Sequence, residues 1–493
     1  MGATLMMGVY VAPSILVRLA KSDFKVRFLY IGFISKSPRR CIMQAIVRNR
    51  SRHGVVFAMA CAIVIVASNH AWAADGDLDP DWATFGFTTV GNIGTFNQGY
   101  GMAVQCDGKV VMTGLINSLG AEDAELAVVR FNPDGTLDSS FASNGIFAFD
   151  PSLFADHGTD VAIQQDGKIV VVGSTIAGLG GWDFAVLRLT QDGTFDPSFS
   201  GNGYHTFEFG GASRAHGVAL QDDGRIVVVG ETTNTSAMAI ARLTTDGALD
   251  TTFDGDGLKI VDFTLGDDSA WDVAIQNDGR ILVVGTATAN PGSVVTIIRF
   301  LTDGAFDTGF GIGGGGAAAL DFGISSEGRG IALQHDGRIV VAGYTDDLTS
   351  IAVGRLTSEG LADPTFGANG MAIHDFGIGD DVGLDVAIAH DGRILVAGSI
   401  EDGAGGRAAV TRFRANGSVD TDFGYFGTWV EPVFNFSSVA HALVIQPHDG
   451  RLLIAGSAVW GPIDERIFVF RVVGDSTLVF AGNFECGDTT AWN

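Results

Sequence analysis

Val161-Ala-Ile-Gln-Gln-Asp-Gly-Lys-Ile-Val-Val-Val-Gly173 is the stretch from which the fold can be read. Two apolar runs flank an Asp-Gly pair. That is the strongest short hairpin signal, because a two-residue type I′ turn needs positive φ at both central positions. The unit recurs seven times, with its turn glycine at Gly108, Gly167, Gly224, Gly279, Gly337, Gly392 and Gly450. Successive intervals are 59, 57, 55, 58, 55 and 58 residues. Each hairpin ends in a further glycine, at Gly114, Gly173, Gly230, Gly285, Gly343, Gly398 and Gly456, which suggests a bulge or a close backbone approach.

A second half-motif follows, typified by Phe184-Ala-Val-Leu-Arg-Leu-Thr-Gln-Asp-Gly-Thr-Phe-Asp-Pro-Ser-Phe199. It reads as a strand, an Asp-Gly turn, then an Asp and an aromatic anchor. A short apolar strand such as Gly145-Ile-Phe-Ala-Phe149 closes the unit. Four short strands in ~57 residues are the content of one propeller blade. No stretch after residue 73 keeps a helical period. The fold class is therefore all-β, a seven-bladed β-propeller of four-stranded repeats over residues 74–475. A β-solenoid would need fewer residues per coil and no complementary ends.

The ends do complement each other. The seventh repeat reaches its third strand, Ile467 to Val472, and then lacks the Leu-Asp-x-x-Phe element. Asp75-Gly-Asp-Leu-Asp-Pro-Asp-Trp82 and Phe87-Thr-Thr-Val90 supply it, so the N-terminal segment is expected to close the ring. Closure removes the open sheet edge that a linear array would leave.

Asp166–Gly173 with Phe195–Phe199 resembles the delta-60 repeat proteins of bacteria, whose unit is Asp-Gly-Lys-Ile-Val-Val-x-Gly with a Leu-Asp-x-x-Phe-Gly tail. The resemblance covers about residues 75–475. It implies a propeller-like exported protein and no reaction, since the family has no established activity to transfer. The final stretch, Phe480-Ala-Gly-Asn-Phe-Glu-Cys-Gly-Asp-Thr-Thr-Ala-Trp492, looks like a Gly-Phe-Glu-x-Gly-Asp-x-x-x-Trp tail of exported bacterial proteins, from which Asn483 and Cys486 depart.

The leader agrees with export. Arg48, Arg50 and Arg52 precede an uncharged apolar run from Val55 to Ser68 and an Ala71-Trp72-Ala73 cleavage signal. The run is shorter than the roughly 20 residues that span a bilayer. We read 43–73 as a signal peptide cleaved after Ala73, giving a secreted or periplasmic protein. An uncleaved anchor at 55–68 is the alternative. Residues 1–42 read as an upstream extension, with Met43 the better start, and 476–493 as a C-terminal tail.

The whole chain has 493 residues, 30 Lys+Arg against 56 Asp+Glu, and 69 glycines. Loss of residues 1–73 removes ten Lys+Arg and one Asp, leaving 20 basic against 55 acidic residues, a net −35. That balance disfavours nucleic acid and anionic membrane as partners. The 46% hydrophobic content excludes disorder for most of the chain. Cys106 and Cys486 remain after cleavage, and their spacing requires no disulfide.

Residues repeated in every blade read as scaffold. Arg130, Arg188, Arg242, Arg299, Arg355 and Arg412 are each followed eight residues later by Asp138, Asp196, Asp250, Asp307, Asp363 or Asp420. A structural Arg–carboxylate pair explains a spacing kept in blade after blade better than chemistry does. Arg471 has no such Asp, and ring closure assigns it Asp79. The alternating Asp75, Asp77, Asp79 and Asp81 lack the glycine and the twelfth-position Glu of a calcium loop. Turn-forming aspartates are the better account, with Ca2+ the weaker one and no other metal or cofactor indicated.

Function should sit where repeats differ. Aligning the first strands puts Tyr100, Thr159, His216, Trp271, Arg329, Leu384 and His441 at one position, and Asp160, Asp272 and Asp385 at the next. Tyr100, Asp160, His216, Trp271, Asp272, Arg329, Asp385 and His441 would converge on one channel mouth and could bind a small polar ligand or a saccharide. A solvated channel rim is the bland alternative, and the loops Leu115–Glu125 and Ser174–Asp183 are other surfaces for a protein partner. No G-x-S-x-G, H-E-x-x-H or P-loop occurs, so no catalytic residue is assigned. The expectation is a monomeric exported binding scaffold. A polymer-degrading hydrolase or lyase using His216, Arg329 and His441 is the alternative.

Overall fold

A computed structural model describes residues 75–474, apart from 92–96, 118–123, 152–154, 177–180, 264–265, 290–291, 324, 346–349, 378, 402–404, 435–436 and 462–463. Within the separate unit Met1–Trp72 it describes one pairing, Val17–Leu19 with Ser22–Phe24. The signal segment, the tail and Cys486 lie outside the described residues, as do parts of both loops named above as partner surfaces. Cys106 is exposed.

Residues 75–474 form seven four-stranded antiparallel sheets, the blades of a propeller. In blade 2 the inner strand is His157–Ile163, followed outward by Ile169–Ile176, Trp182–Leu189 and Tyr204–Phe207. The inner strands of consecutive blades pack on one another, and that of blade 7, Ser438–Ile445, packs on that of blade 1, Asn97–Val104. The ring is closed. Its last sheet runs Ser438–Ile445, Leu452–Gly461, Asp464–Val472 and then Phe87–Val90 from the chain's other end, with Thr88 opposite Val469.

Each blade is covered on both faces, so its middle strands are apolar throughout rather than alternating. Ile226–Thr232 and Ala237–Leu243 are buried almost end to end. One apolar cluster fills each junction between blades. Phe184 and Val172 of blade 2, for example, meet Val228 and Ala239 of blade 3.

The Asp-Gly loops differ from expectation. Only the glycine has positive φ, as at Gly167 (79°). Gly167 N donates to Gln164 O and Gln164 N to Lys168 O, both 2.8 Å. This is a three-residue loop, a type I turn followed by a left-handed glycine, rather than a two-residue type I′ turn. The second glycine of each unit likewise does not end its strand. Gly173 sits inside Ile169–Ile176, where a Cβ would lie 2.1 Å from His157 O. It marks a close backbone approach.

The Arg–Asp pairs join one blade to the next. Arg188 Nε donates to Asp196 Oδ2 at 2.8 Å, its guanidinium lies over Phe199 at 4.7 Å, and Nη1 reaches Thr245 O of blade 3. Equivalent reaches run from Arg130 to Gln191 O, Arg242 to Thr302 O, Arg299 to Ser358 O and Arg355 to Ala415 O. Arg412 pairs with Asp420 and reaches Asp75, and Arg471 pairs with Asp79 and reaches Pro133 O. The cycle therefore runs through both chain ends. Asp138, Asp250, Asp307 and Asp363 each lie 2.8 Å from their own Arg. A second cation, the residue after each turn glycine, closes on the same carboxylates: Lys168 on Asp196 at 3.4 Å and Arg451 on Asp79 at 2.8 Å.

One turn carries strain. Blades 1 and 5 place Asn144 (φ 54°) and Asn369 (φ 55°) before the glycine that opens the outer strand, a left-handed position that suits Asn. Blades 6 and 7 place Phe426 (φ 53°) and Phe85 (φ 60°) there, both largely exposed. Phe426→Asn gives up only a small, exposed contact with Tyr425 and is expected to stabilise the protein by about 1 kcal/mol, read as a higher melting temperature.

Candidate functional site

The seven variable positions are β-bulges. Register between inner and second strands slips at Gly158/Asp160, Ala215/Gly217, Ala270/Asp272, Gly328/Gly330, Gly383/Asp385 and Ala440/Ala442, leaving Thr159, His216, Trp271, Arg329, Leu384 and His441 unpaired. In blade 1 two residues, Tyr100 and Gly101, are passed over between Gly99 and Met102. A bulge re-aims its side chain. The glycine opposite makes room for it, since its missing Cβ lets the inner-strand backbone approach closely.

Three of these side chains form one stack across blades 3, 4 and 5. His216 lies 4.1 Å from the Trp271 ring at a 30° tilt, and the Arg329 guanidinium lies 3.5 Å over that ring. Arg329 Nη2 donates to Glu327 Oε2 at 2.5 Å and to Tyr344 Oη at 2.9 Å, and Tyr344 Oη donates to Glu327 at 2.7 Å. At the other end Glu231 accepts from Ser269 Oγ at 2.6 Å, with His216 Nε2 at 3.9 Å and Arg214 at 3.8 Å. Burial opposes the Glu231 charge, but His216, Ser269 and Arg214 outweigh it and hold the carboxyl at about 2. His216 Nε2, Trp271 Nε1 and Arg329 Nε are all buried without a hydrogen-bond partner.

A second group spans the junction of blades 7 and 1. Tyr100 meets His441 edge-on at 5.1 Å and bonds Gln98, whose Nε2 donates to Glu465 at 3.0 Å. Burial, and then Arg329, lower His441 to about 4; burial and Glu465 raise Tyr100 to about 12. His441 is therefore neutral near pH 7.

The three aspartates of the expected site are half-buried and bond backbone. Asp160 accepts from Val161 N at 2.7 Å and from Val218 N of blade 3 at 2.9 Å. Asp272 takes Val273 N at 2.7 Å and Ile331 N at 2.9 Å; Asp385 takes Val386 N at 2.7 Å and Leu443 N at 2.6 Å. Each oxygen holds one backbone N–H. Among the described residues no group of three or more His, Cys, Asp and Glu could hold a metal ion, and no helix is long and apolar enough to cross a membrane.

Glu231 and Tyr344, which flank the stack, were not among the expected site residues. Each follows the second glycine of its unit, Gly230 or Gly343, and variation at that position was the signal available.

Six stretches, residues 105–141, 164–199, 221–253, 276–310, 334–366 and 390–423, match the model of a domain of unknown function (DUF5122) described as a beta-propeller. They fit a family of β-propeller repeats. No curated protein matches the sequence. Similar solved structures include a catalytically inactive virginiamycin B lyase from Staphylococcus aureus with quinupristin (13% identity, TM-score 0.44, 78% of this chain and 98% of that one). The polysaccharide lyase Uly1 is another (12%, 0.43, 76% and 90%). Drosophila Plexin A in complex with Semaphorin 1b is a third (10%, 0.41, 81% and 87%). These likenesses lie in the fold alone.

Proposed function

We propose that this chain is an exported delta-60-type propeller that serves as a binding scaffold, with its ligand site at the channel mouth built on His216, Trp271 and Arg329. One observation carries the reading: three successive bulge side chains are stacked together with buried, unpartnered nitrogens. Buried polar groups are nearly always bonded, and leaving one unmade costs about 1–3 kcal/mol. When the stack parts to admit it, an oxygen-rich ligand, such as a saccharide, supplies acceptors to Trp271 Nε1 and Arg329 Nε. Both are donors only.

The test is calorimetry against a panel of neutral and acidic oligosaccharides. A bound member should lose about 2 kcal/mol, ~30-fold in affinity, on Trp271→Ala or Arg329→Ala. Equal binding by both variants would place the ligand elsewhere, with the outer loops and a protein partner next in line. A second reading, a hydrolase or lyase acting on an extracellular polymer, is favoured by neutral His441 beside Tyr100. Turnover of such a polymer that disappears in a folded His441→Ala variant would replace the scaffold reading.

A further inference from the structure

The residue before each hairpin Asp-Gly varies from blade to blade: Cys106, Gln165, Asp222, Asn277, His335, His390 and His448 in blades 1 to 7. Metal-ligating side chains gather on one arc of the ring. Blades 5, 6 and 7 carry histidine there, and blade 1, the next blade around the closed ring, carries Cys106. The turns follow the inner strands, whereas the bulges lie toward the strands' beginnings, so this arc is at the opposite end of the channel from the His216–Trp271–Arg329 stack.

His335 and His390 are both exposed, and their ring centroids stand 6.1 Å apart with the planes at 68°. The same three-residue loop presents each of them. Gly337 N donates to Gln334 O at 2.8 Å and Gln334 N to Arg338 O at 2.9 Å; Gly392 N donates to Ala389 O and Ala389 N to Arg393 O, both at 2.8 Å. The two loops lie side by side, since a Cβ at Gly392 would come 3.9 Å from Gln334 Nε2. Each following aspartate turns to the cation of its own loop, Asp336 to Arg338 and Asp391 to Arg393. The two histidines are 55 residues apart in the chain, so no ligand spacing announces the pair in the sequence.

We infer that His335 and His390 form a surface site for a divalent transition-metal ion (Cu2+, Ni2+ or Zn2+), held by two imidazoles across blades 5 and 6. Imidazole suits these ions, whereas Mg2+ and Ca2+ take carboxylate, carbonyl and water oxygens. Metal–nitrogen bonds of about 2.0–2.1 Å at a tetrahedral ion set two ligand nitrogens about 3.4 Å apart. Rings 6.1 Å apart reach that separation by rotation of two exposed side chains, with no movement of either loop. No three ligands come together among the described residues, so water fills the other positions. A structural zinc site is closed by four protein ligands; two imidazoles with open positions suit an exchangeable ion instead. The surplus of acidic over basic residues after residue 73 draws cations toward this surface.

The test uses the metal alone and so is separate from the binding reading at the bulges. Zn2+ and Ni2+ are titrated calorimetrically, near neutral pH, into residues 74–493 carrying Cys106→Ser and Cys486→Ser, which removes thiolate binding. One ion should bind per chain, and the ring-proton signals of His335 and His390 should both shift with Zn2+. His335→Ala and His390→Ala should each weaken binding by at least ~10-fold with the melting temperature unchanged. His448→Ala, at the same turn position one blade further on, should leave the affinity as it was. Absence of binding overturns the site. So does binding that survives either single variant, or binding lost in His448→Ala alone. Metal binding in a protein that takes no saccharide refutes only the reading of the stack.

Discussion

Asp79→Ala is expected to destabilise the propeller by about 3–5 kcal/mol, although the residue lies near the start of the described chain. Asp79 is 2% exposed, and its Oδ2 accepts from Arg471 Nε at 2.8 Å while Arg451 Nε lies 2.8 Å away. Removing the carboxylate leaves the largely buried Arg471 guanidinium without its ion pair and Arg451 with Asp449 alone, in the blade whose outer strand comes from the far end of the described chain. Asp79 Oδ1 also accepts from Asp81 N at 3.1 Å, so the side chain helps fix the segment that leads into Phe87–Val90. Denaturant unfolding at constant slope is the measurement. Asp81→Ala, an exposed neighbour, is the control and should fall within about 0.5 kcal/mol of wild type. Equal midpoints for the two variants would mean that the Asp79 pair does not hold the ring.

Gly343→Ala adds one methyl group and is expected to cost about 3 kcal/mol. Its Cβ would sit 1.8 Å from Glu327 O, 2.9 Å from the Glu327 carbonyl carbon and 3.2 Å from Gly328 Cα. All three are backbone atoms of the inner strand, so no rotamer change relieves the contact; the strand itself must move away. That strand carries Arg329 in its bulge, so the Trp271–Arg329 stack should open along with the loss of stability. Gly315→Ala, which meets nothing within 4 Å, serves as the comparison and should melt like wild type. A Gly343→Ala protein of undiminished stability would contradict the close approach that creates the bulges.

The blade was legible because its signals are local and repeated. An apolar hairpin followed by an Arg and an Asp eight residues apart survives in copy after copy, and the missing half of the last copy is plainly present near Asp79. The turn was misread for a physical reason: a two-residue type I′ loop and a type I turn with a left-handed glycine both ask for Asp-Gly. Only the φ of Asp166 tells them apart, and composition does not record it. The residue after the turn glycine, Lys168 or Arg451, resembles solvent-facing charge in sequence, yet the hairpin brings it onto the same carboxylate as the strand arginine.

For the bulges, alignment found the shared position without its consequence. That Trp271, Arg329 and His216 share a register was readable; that bulging would stack them across three blades was not, because contact between blades is set by ring curvature. Asp160, Asp272 and Asp385 were visible at one aligned position, but not the backbone bonds they make. Which backbone N–H each one meets, in the following blade some 58 residues on, depends on how blades nest.

A single engineered crosslink tests ring closure most directly. Thr88 and Val469 are directly opposite partners across the last sheet, nearly the full length of the propeller apart in sequence. In a Cys106→Ser, Cys486→Ser background of residues 74–493, Thr88→Cys with Val469→Cys should oxidise to a disulfide within one chain, raise the melting temperature and leave the protein monomeric. A bond that forms only between chains, or not at all in the folded protein, would contradict the seven-bladed ring.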